Sequence, residues 1–461
     1  MPQVSYIDNP SLKYPEFPYL PDKKYPELST KKIDSANDLY AQMRELLRDQ
    51  QLDEKNFNKP GWNPLGIYIK PNQKILLKPN WVMHKNLSGG SLDCVVTHTS
   101  IIKFTIDYVL IALNYRGHVL IADAPLQSCD FDELTRKTRI RDLVQIYQKQ
   151  FPKVKFSVID LRKTIYGDGK QAVGKGDVKH GYSLIDLKAE SLLEDISDQS
   201  QKFRVTMYNP KKLQEHHMSG KHEYLIANAL LEADFIINLP KMKTHIKAGL
   251  TGAMKNTIGI NGHKEYLPHH RYGSTSSGGD QFPGKSPMID LFNKLADHHW
   301  QNVLTNSDQV NKIEKFLLRT ITLFLVLTKK DGYLDAGWPG NDTLPRTTVD
   351  LNNILQNRYK KLIHIVDGVI AGEGKGPLRP EPLHTGIVLM GDSASAVDLV
   401  MAKLIGYDPL QIRTIKHALT HPKSKLKFKV SSLQVIRNSI EVKLNKINSL
   451  GFKKPDLWRG I

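Results

Sequence analysis

The chain of 461 residues contains only two cysteines, Cys94 and Cys129, and they form no CxxC pair. This scarcity argues against a disulfide scaffold, a zinc ribbon and a protein-held iron–sulfur cluster. We therefore expect no iron–sulfur cluster and a reducing compartment. The cytoplasm is the predicted location.

Long apolar runs are also missing. The most apolar segment, ITLFLVLT at 321–328, is much shorter than the roughly 20 residues that cross a bilayer. The N-terminus lacks the basic and then apolar pattern of a secretory signal, and its repeated Pro and Tyr predict an extended arm. We predict no transmembrane segment.

Positive charge is plentiful, with a formal net charge of +18. Such a surplus attracts anions, which include nucleic acid, acidic membrane surfaces and phosphorylated small molecules. The basic tracts carry no interleaved aromatics and no recognised nucleic-acid module, so nucleic acid is the less favoured partner. An anionic small molecule is the predicted substrate, and the oligomeric state stays open.

The order of apolar segments predicts an α/β fold. KILLKPN reads as a strand, SIIKFTIDYVLIALNY as a helix and HVLIADAP as a second strand, which is the pattern of a βαβ unit. We predict a mostly parallel sheet flanked by helices, in two lobes with a cleft between them. The expected segments are an N-terminal extended arm and helix (1–65), a first part of the core (66–150), an insertion or small subdomain (151–222), the rest of the core (223–420) and a basic C-terminal tail (421–461).

The segment 241–264 contains five lysines, two histidines and no acidic residue, and it follows the apolar run DFIINLP. Pro240 is expected to end that strand, and ligands of open α/β sheets bind at strand ends. A short helix capped by Thr251 is expected next, with Lys247, Thr251 and Lys255 on one face if the helix starts early. A solvated basic loop is the alternative. The predicted anion ligands are Lys241, Lys243, Thr244, Thr251 and Asn256 in this segment, and Lys78 and Asn80 at the end of the strand KILLKPN.

Acid–base chemistry is assigned to His245, His98 and Lys255. A histidine among lysines is biased toward the neutral imidazole, which suits a general acid or base better than a fixed cation. His245 stands inside the basic segment, and His98 precedes an amphipathic helix. His269, His270, His298 and His299 are interpreted as structural.

Three carboxylates each follow an apolar strand: Asp123, Asp367 and Asp392. Carboxylates at one edge of a parallel sheet would suit Mg²⁺ or Mn²⁺, which could bridge to a phosphate. The alternative is a helix cap at Asp392 and a turn at Asp123. We predict that these three carboxylates form a divalent metal site.

Two further elements are assigned to anion binding. The glycine-rich stretch AGEGKGP offers Gly374 and Lys375 as a loop that could cradle a phosphate, although it matches no nucleotide fingerprint. Arg346 follows a turn-rich motif, and its guanidinium would suit a second anionic group. Ordinary turn chemistry is the alternative for this motif.

Several segments together resemble the DUF362 family, a domain of unknown function. They are KPNWV (78–82), VTHTSIIKFTID (96–107), IADAP (121–125), ADFIINLPKMKTHIKAGLTGAMKNTIGI (233–260), VDGVIAGEGKGPL (366–378) and GDSASAVDLVMAKLIGYDP (391–409). The resemblance covers roughly 70 to 410, and the segment WPGNDTLPRTTVDLN (338–352) resembles a longer branch of the family associated with surface-polysaccharide genes. It implies no redox role here, because the ferredoxin-like cysteines of some relatives are absent.

The stretch THIKAGLTGAMKN is also distantly similar to the PHxxAGxSGGRK stretch of lactate-racemase-like proteins. That resemblance would place His245 and Lys255 at a catalytic site with a nickel nucleotide cofactor. Thr251 stands where the motif has Ser, and Ala253 and Met254 stand where it has Gly and Arg, which argues against carrying the cofactor over.

Three hypotheses about function follow. The first is an enzyme, a transferase or isomerase, that acts on a phosphorylated or nucleotide-activated sugar in surface-polysaccharide metabolism, with help from a metal. The second is racemase-like or isomerase-like proton transfer on a hydroxy acid. The third is non-enzymatic binding of nucleic acid or an anionic membrane.

Overall fold

The computed structural model describes residues 1–30, 32–166, 172–206, 208–304 and 312–461. The strands are β1 (Gln3–Asp8), β2 (Lys74–Pro79), β3 (Gly117–Asp123), β4 (Val154–Asp160), β5 (Ile165–Tyr166), β6 (Ala172–Gly174), β7 (Tyr182–Asp186), β8 (Phe203–Arg204), β9 (His217–Met218), β10 (Lys221–Ala227), β11 (Phe235–Leu239), β12 (Lys241–His245), β13 (Gly249–Thr251), β14 (His270–Arg271), β15 (Ile363–Lys375), β16 (Arg379–Gly391), β17 (Gln434–Arg437) and β18 (Ile440–Glu441). The α-helices are α1 (Asp38–Arg48), α2 (Thr99–Ala112), α3 (Phe131–Lys137), α4 (Ile140–Gln150), α5 (Pro210–His216), α6 (Asn228–Leu231), α7 (Ala253–Asn256), α8 (Pro287–Leu304), α9 (Lys312–Leu327), α10 (Thr343–Arg358), α11 (Ala394–Ile405) and α12 (Arg413–Thr420).

One large mixed sheet organises the described part of the chain. Its main path runs β18-β17-β1-β16-β15-β11-β2-β3-β4, and β12 joins its edge by pairing with β15 and β13. Most of its pairings are parallel, including those that link β15, β11, β2, β3 and β4. Helices pack on the sheet, so the predicted α/β class with a mostly parallel sheet is confirmed.

The parallel half positions a ligand site. From β2 the chain proceeds to β3 and β4 on one side, and it later returns to place β11 on the other side of β2. Such a reversal of strand order leaves a crevice outside the carboxyl ends of the strands, where open α/β sheets bind ligands. We therefore expect a ligand beyond the ends of β2 and β11.

The basic segment differs from its prediction. After Pro240 the chain does not enter a loop: residues 241–245 form β12, which pairs in parallel with the later part of β15. β13 then turns back antiparallel along β12, with Gly249 at a φ of 78° that favours glycine. The short helix that follows is α7, 253–256, with Gly252 and not Thr251 at its N-cap, and it does not extend back to Lys247.

All five predicted segments contribute at least one strand to the large sheet, and their boundaries stay predictions. Strands β7 and β9 of the predicted insertion form a smaller antiparallel sheet with β10, which continues to Ala227 in the next segment. This sheet packs over Leu76 and Leu120 on one face of the large sheet. Within the described ranges, no helix has the length and apolar character needed to cross a membrane.

Candidate functional site

A cavity of about 330 Å³ opens at the carboxyl ends of the parallel strands. Asn80 follows β2, Asp123 ends β3 and His245 ends β12, and all three line this cavity. Part of the wall is apolar, and it includes Val82, Leu126, Val205, Ile246, Ile258 and Leu378. The cavity can therefore hold an organic molecule that has both polar and apolar parts.

Three lysines from the segment 247–264 line the cavity. Lys247 donates to Thr206 at 3.0 Å and lies 3.7 Å from a carboxylate oxygen of Asp335. Lys264 donates to the carbonyl of Ala124 at 3.4 Å. Lys255 lines the cavity too, and the described residues offer its ammonium group no hydrogen bond and no ion pair.

The amines of two of these lysines titrate near neutral pH. Burial, together with the neighbouring Lys264, lowers the pKa of Lys255 to about 7. Burial lowers the pKa of Lys264 to about 8. The charge of Asp123 partly offsets this shift at Lys264, whereas Lys255 has no ion pair among the described residues, and a bound anion would supply its counter-charge.

Two histidines in the cavity wall carry their protons on opposite ring nitrogens. Nδ1 of His245 accepts the backbone N–H groups of Lys247 at 3.0 Å and Ala248 at 3.2 Å, so the proton lies on Nε2. Nδ1 of His269 lies 2.7 Å from the carbonyl of Leu267 and must donate to it, which leaves the lone pair on Nε2. His245 is thus a hydrogen-bond donor and His269 a proton acceptor.

Both rings are neutral at physiological pH. Burial is the main cause that lowers the pKa of each imidazole well below its ordinary value, and the positive charges of Lys255 and Lys247 add to it. Sequence reasoning interpreted His269 as structural. Nothing in the residues around it marks it, because its role depends on where the chain after α7 folds back over the cavity.

Beneath the cavity lies a buried polar network. Nζ of Lys78 is 2.8 Å from Oδ1 of Asp123, and it also donates to Oδ1 of Asn256 at 3.3 Å. Asn80 donates to the same oxygen of Asn256 at 2.9 Å. A Cβ on Gly259 would lie 2.0 Å from Oδ1 of Asp123, so only glycine allows this approach. Three predicted anion ligands do come together here, but the charge of Lys78 is already paired.

The first lysines of the basic segment are also engaged within the protein. Lys241 pairs with Asp367 at 2.9 Å, and Lys243 donates to Oδ1 of Asn80 at 2.7 Å. Burial and the charge of Lys241 lower the pKa of Lys243 to about 7. Thr244 donates to the carbonyl of Gly374 at 2.9 Å. Lys241, Lys243 and Thr244 support the wall behind the cavity and do not line it.

Thr251 does face the cavity, and its hydroxyl has no hydrogen-bond partner among the described residues. A buried hydroxyl in this state gains from a ligand that accepts or donates a hydrogen bond. Thr251 therefore stands with Lys255 as a group available to a ligand.

The structure does not bring the three predicted metal ligands together. Asp123 pairs with Lys78, Asp367 with Lys241, and Asp392 with Lys361 at 2.5 Å. β16 runs antiparallel to β15, which puts Asp392 at the opposite end of the sheet from Asp123. In the part of the chain that the structure describes, no three His, Cys, Asp or Glu side chains gather closely enough to hold a metal ion.

Four other predicted residues lie outside the cavity lining. His98 caps α2 by accepting from the N–H of Ser100 at 3.2 Å, and burial lowers its pKa to about 4. Arg346 pairs with Asp342 at 2.7 Å, one helical turn away. The N–H of Gly374 donates to the carbonyl of Lys453. Lys375 extends into solvent, 3.7 Å from Asp456.

Comparisons with known proteins give a family without an assigned activity. The model of a family described as a domain of unknown function (DUF362) matches residues 152–403. No curated protein matches the chain, and the resemblance to lactate-racemase-like proteins is not confirmed. Among solved structures, the chain is similar to a Thermotoga maritima protein from a structural genomics consortium, with 12% identity and a TM-score of 0.29. That match covers 73% of this chain and 53% of the solved one, so the chain spans about half of that protein's length.

Proposed function

This chain belongs to the DUF362 family, and we propose that it is an enzyme whose cavity binds a small organic anion and transfers a proton on it. The observation that carries the proposal is Lys255, a cavity-lining amine without a partner among the described residues. Lys255 is partly buried, and withdrawing a cation from water without a counter-charge is costly, so proteins retain such groups where a ligand supplies the charge.

The neighbours of Lys255 define the anion. Lys247 and Lys264 lie in the same wall, and the carboxylates that line the cavity, Asp123 and Asp335, each lie near a lysine of their own. The lining therefore carries surplus positive charge that suits a phosphate or a carboxylate. The apolar wall would contact the rest of the ligand.

A phosphorylated sugar remains our first substrate hypothesis, within surface-polysaccharide metabolism. A cavity of about 330 Å³ lies at the small end of the range for ligand sites. This size favours a simple sugar phosphate over a nucleotide-activated sugar.

The two histidines favour proton transfer as the chemistry. His269 presents the lone pair of Nε2 and would remove a proton, while the Nε2–H of His245 would stabilise the oxygen that gains charge. The same pair supports the second candidate, an isomerase or racemase that acts on a hydroxy acid. In that case the lysines would hold its carboxylate.

Binding of nucleic acid is less favoured, because the lysines of the basic segment lie in the cavity wall or behind it and do not form a surface tract. We propose the cytoplasm as the location, since both cysteines are buried free thiols.

Titration calorimetry with glucose 6-phosphate, lactate and uncharged glucose tests the proposal. We expect one of the two anions to bind, glucose not to bind, and Lys255→Gln to weaken the anion about tenfold or more. Lys375→Gln is the matched control, because this exposed lysine lies outside the cavity and should leave binding unchanged. The proposal is wrong if neither anion binds, or if Lys255→Gln binds as the natural protein does. Native mass spectrometry of freshly purified protein would identify a ligand that is retained.

A further inference from the structure

Helix α9 has two faces of very different surroundings. Glu314, Ile321 and Leu325 are buried, and the two apolar residues belong to a small cluster with Phe282 and Ile289, the latter on α8. This cluster fixes α9 against α8 as a helical hairpin, which we call the α8–α9 hairpin (287–304 and 312–327). Most of the remaining circumference of α9 is open to solvent.

That open surface is strongly apolar. In the described part of the chain, seven of the eighteen exposed large apolar side chains belong to this 16-residue helix. They are Ile313, Phe316, Leu317, Leu323, Phe324, Val326 and Leu327. Phe316 is 67% exposed and Leu327 is 74% exposed. Most of these residues recur at spacings of three and four, so they form one continuous stripe along the helix.

A basic row borders the stripe. Lys312, Lys315 and Arg319 are exposed on α9, and Lys329 and Lys330 follow its end. The one acidic residue of the helix, Glu314, is on the buried face, where Nδ1 of His298 lies 2.5 Å from its carboxylate. The exposed surface of α9 therefore combines apolar side chains with positive charge and carries no carboxylate.

We propose that the α8–α9 hairpin docks this protein on the surface of an anionic lipid bilayer. An apolar stripe edged by Lys and Arg is the pattern of helices that lie in the plane of the membrane interface. The apolar side chains enter the boundary between headgroups and acyl chains, while the basic row contacts anionic headgroups. At 16 residues the helix is about 24 Å long, which suits lying along the interface and not crossing it.

The hairpin is also joined to the cavity wall. α9 leads directly into residues 331–335, where Asp335 lines the cavity, and Gln281 donates to the carbonyl of Leu334 at 3.2 Å. Docking would therefore hold the cavity close to the bilayer. The proposal does not depend on the reaction catalysed in that cavity.

Flotation of the full chain with vesicles tests the docking. We expect the protein to float with phosphatidylcholine vesicles that contain about 30% phosphatidylglycerol, and about tenfold less with pure phosphatidylcholine. Two double variants should each lose about tenfold of the binding: Phe316→Ser with Phe324→Ser, and Lys315→Glu with Arg319→Glu. Matched controls replace exposed residues elsewhere, Leu410→Ser with Ile440→Ser and Lys429→Glu with Lys446→Glu, and should float like the natural protein.

Failure to float with anionic vesicles, or equal losses in hairpin and control variants, would overturn the proposal. Light scattering after size-exclusion chromatography tests the alternative that a second copy of the chain covers the stripe. The stripe would be assigned to a second copy of the chain if the natural protein is a dimer that does not bind vesicles and if Phe316→Ser with Phe324→Ser dissociates that dimer. Circular dichroism and thermal unfolding of each variant show that the altered surface residues leave the fold intact.

Discussion

Lys241 and Asp367 lie opposite each other in register on the parallel strands β12 and β15, with 2.9 Å between Nζ and Oδ2. Both side chains are 0% exposed. The hydroxyl of Tyr14 donates to Oδ1 of Asp367 at 2.6 Å, and the N–H of His98 donates to Oδ2 at 2.8 Å. Lys241, a predicted anion ligand, and Asp367, a predicted metal ligand, thus neutralise each other's charge inside the protein.

We predict that Asp367→Asn lowers the free energy of unfolding by about 3 kcal/mol or more, because it leaves the ammonium group of Lys241 buried without a counter-charge. Asp392→Asn is the matched control, since its partner Lys361 is largely exposed, and it should cost about 1 kcal/mol or less. Urea unfolding followed by circular dichroism measures both. Similar losses in the two variants would contradict the structural role of the Lys241–Asp367 pair.

The two cavity histidines should differ in their effect on proton transfer. With the anion that calorimetry identifies, NMR can follow exchange of a substrate C–H for deuterium from the solvent. We predict that His269→Gln slows this exchange about 100-fold or more, because glutamine cannot accept the proton. His245→Gln should slow it less, since the amide of glutamine still donates a hydrogen bond. Because burial lowers the pKa of His269 well below its ordinary value, the rate should not fall as the pH drops from 7 to about 6.

His98→Asn is the control for this experiment. Asparagine also caps helices, so α2 keeps its N-terminal acceptor while the imidazole is lost. An exchange rate that depends on His98 and not on His269 would reverse our assignment of the base.

The sequence was sufficient for the class of the fold and for the end of the sheet where the cavity lies. Apolar runs at KILLKP and GHVLIAD identify buried parallel strands, and the polar residues that follow them, Asn80 and Asp123, do reach the cavity. Lys255, Thr251 and His245 line it as well. Strand ends are readable because the apolar pattern stops there.

The direction of each strand and the pairing of distant residues could not be predicted from the sequence. A buried strand has the same apolar pattern whichever way it runs, so β16 gave no sign that it returns antiparallel and carries Asp392 to the far end. The partner of Lys241 lies 126 residues away in the chain. The ion pairs of Lys241 with Asp367 and of Lys247 with Asp335 join parts of the chain that are distant in sequence, so they depend on tertiary structure alone.

Lys255 should make the free protein less stable than it would be without this amine. In the unfolded chain the lysine keeps a pKa of about 10.4, whereas in the folded protein it is about 7. The unfolded state therefore binds more protons between pH 7 and about 10, and stability rises with pH across that range. Below pH 7 the full cost of the buried charge is present.

We therefore predict that Lys255→Met raises the free energy of unfolding by about 1–2 kcal/mol at pH 6, after allowance for solvent that reaches the cavity, and by much less at pH 9.5. Loss of this charge also relieves its repulsion of Lys247 and Lys264 across the cavity wall. Urea unfolding at the two pH values measures the effect, and Lys375→Met, at an exposed lysine, should show no difference between them. A gain that is the same at both pH values would mean that packing, and not the buried charge, sets the stability at this position.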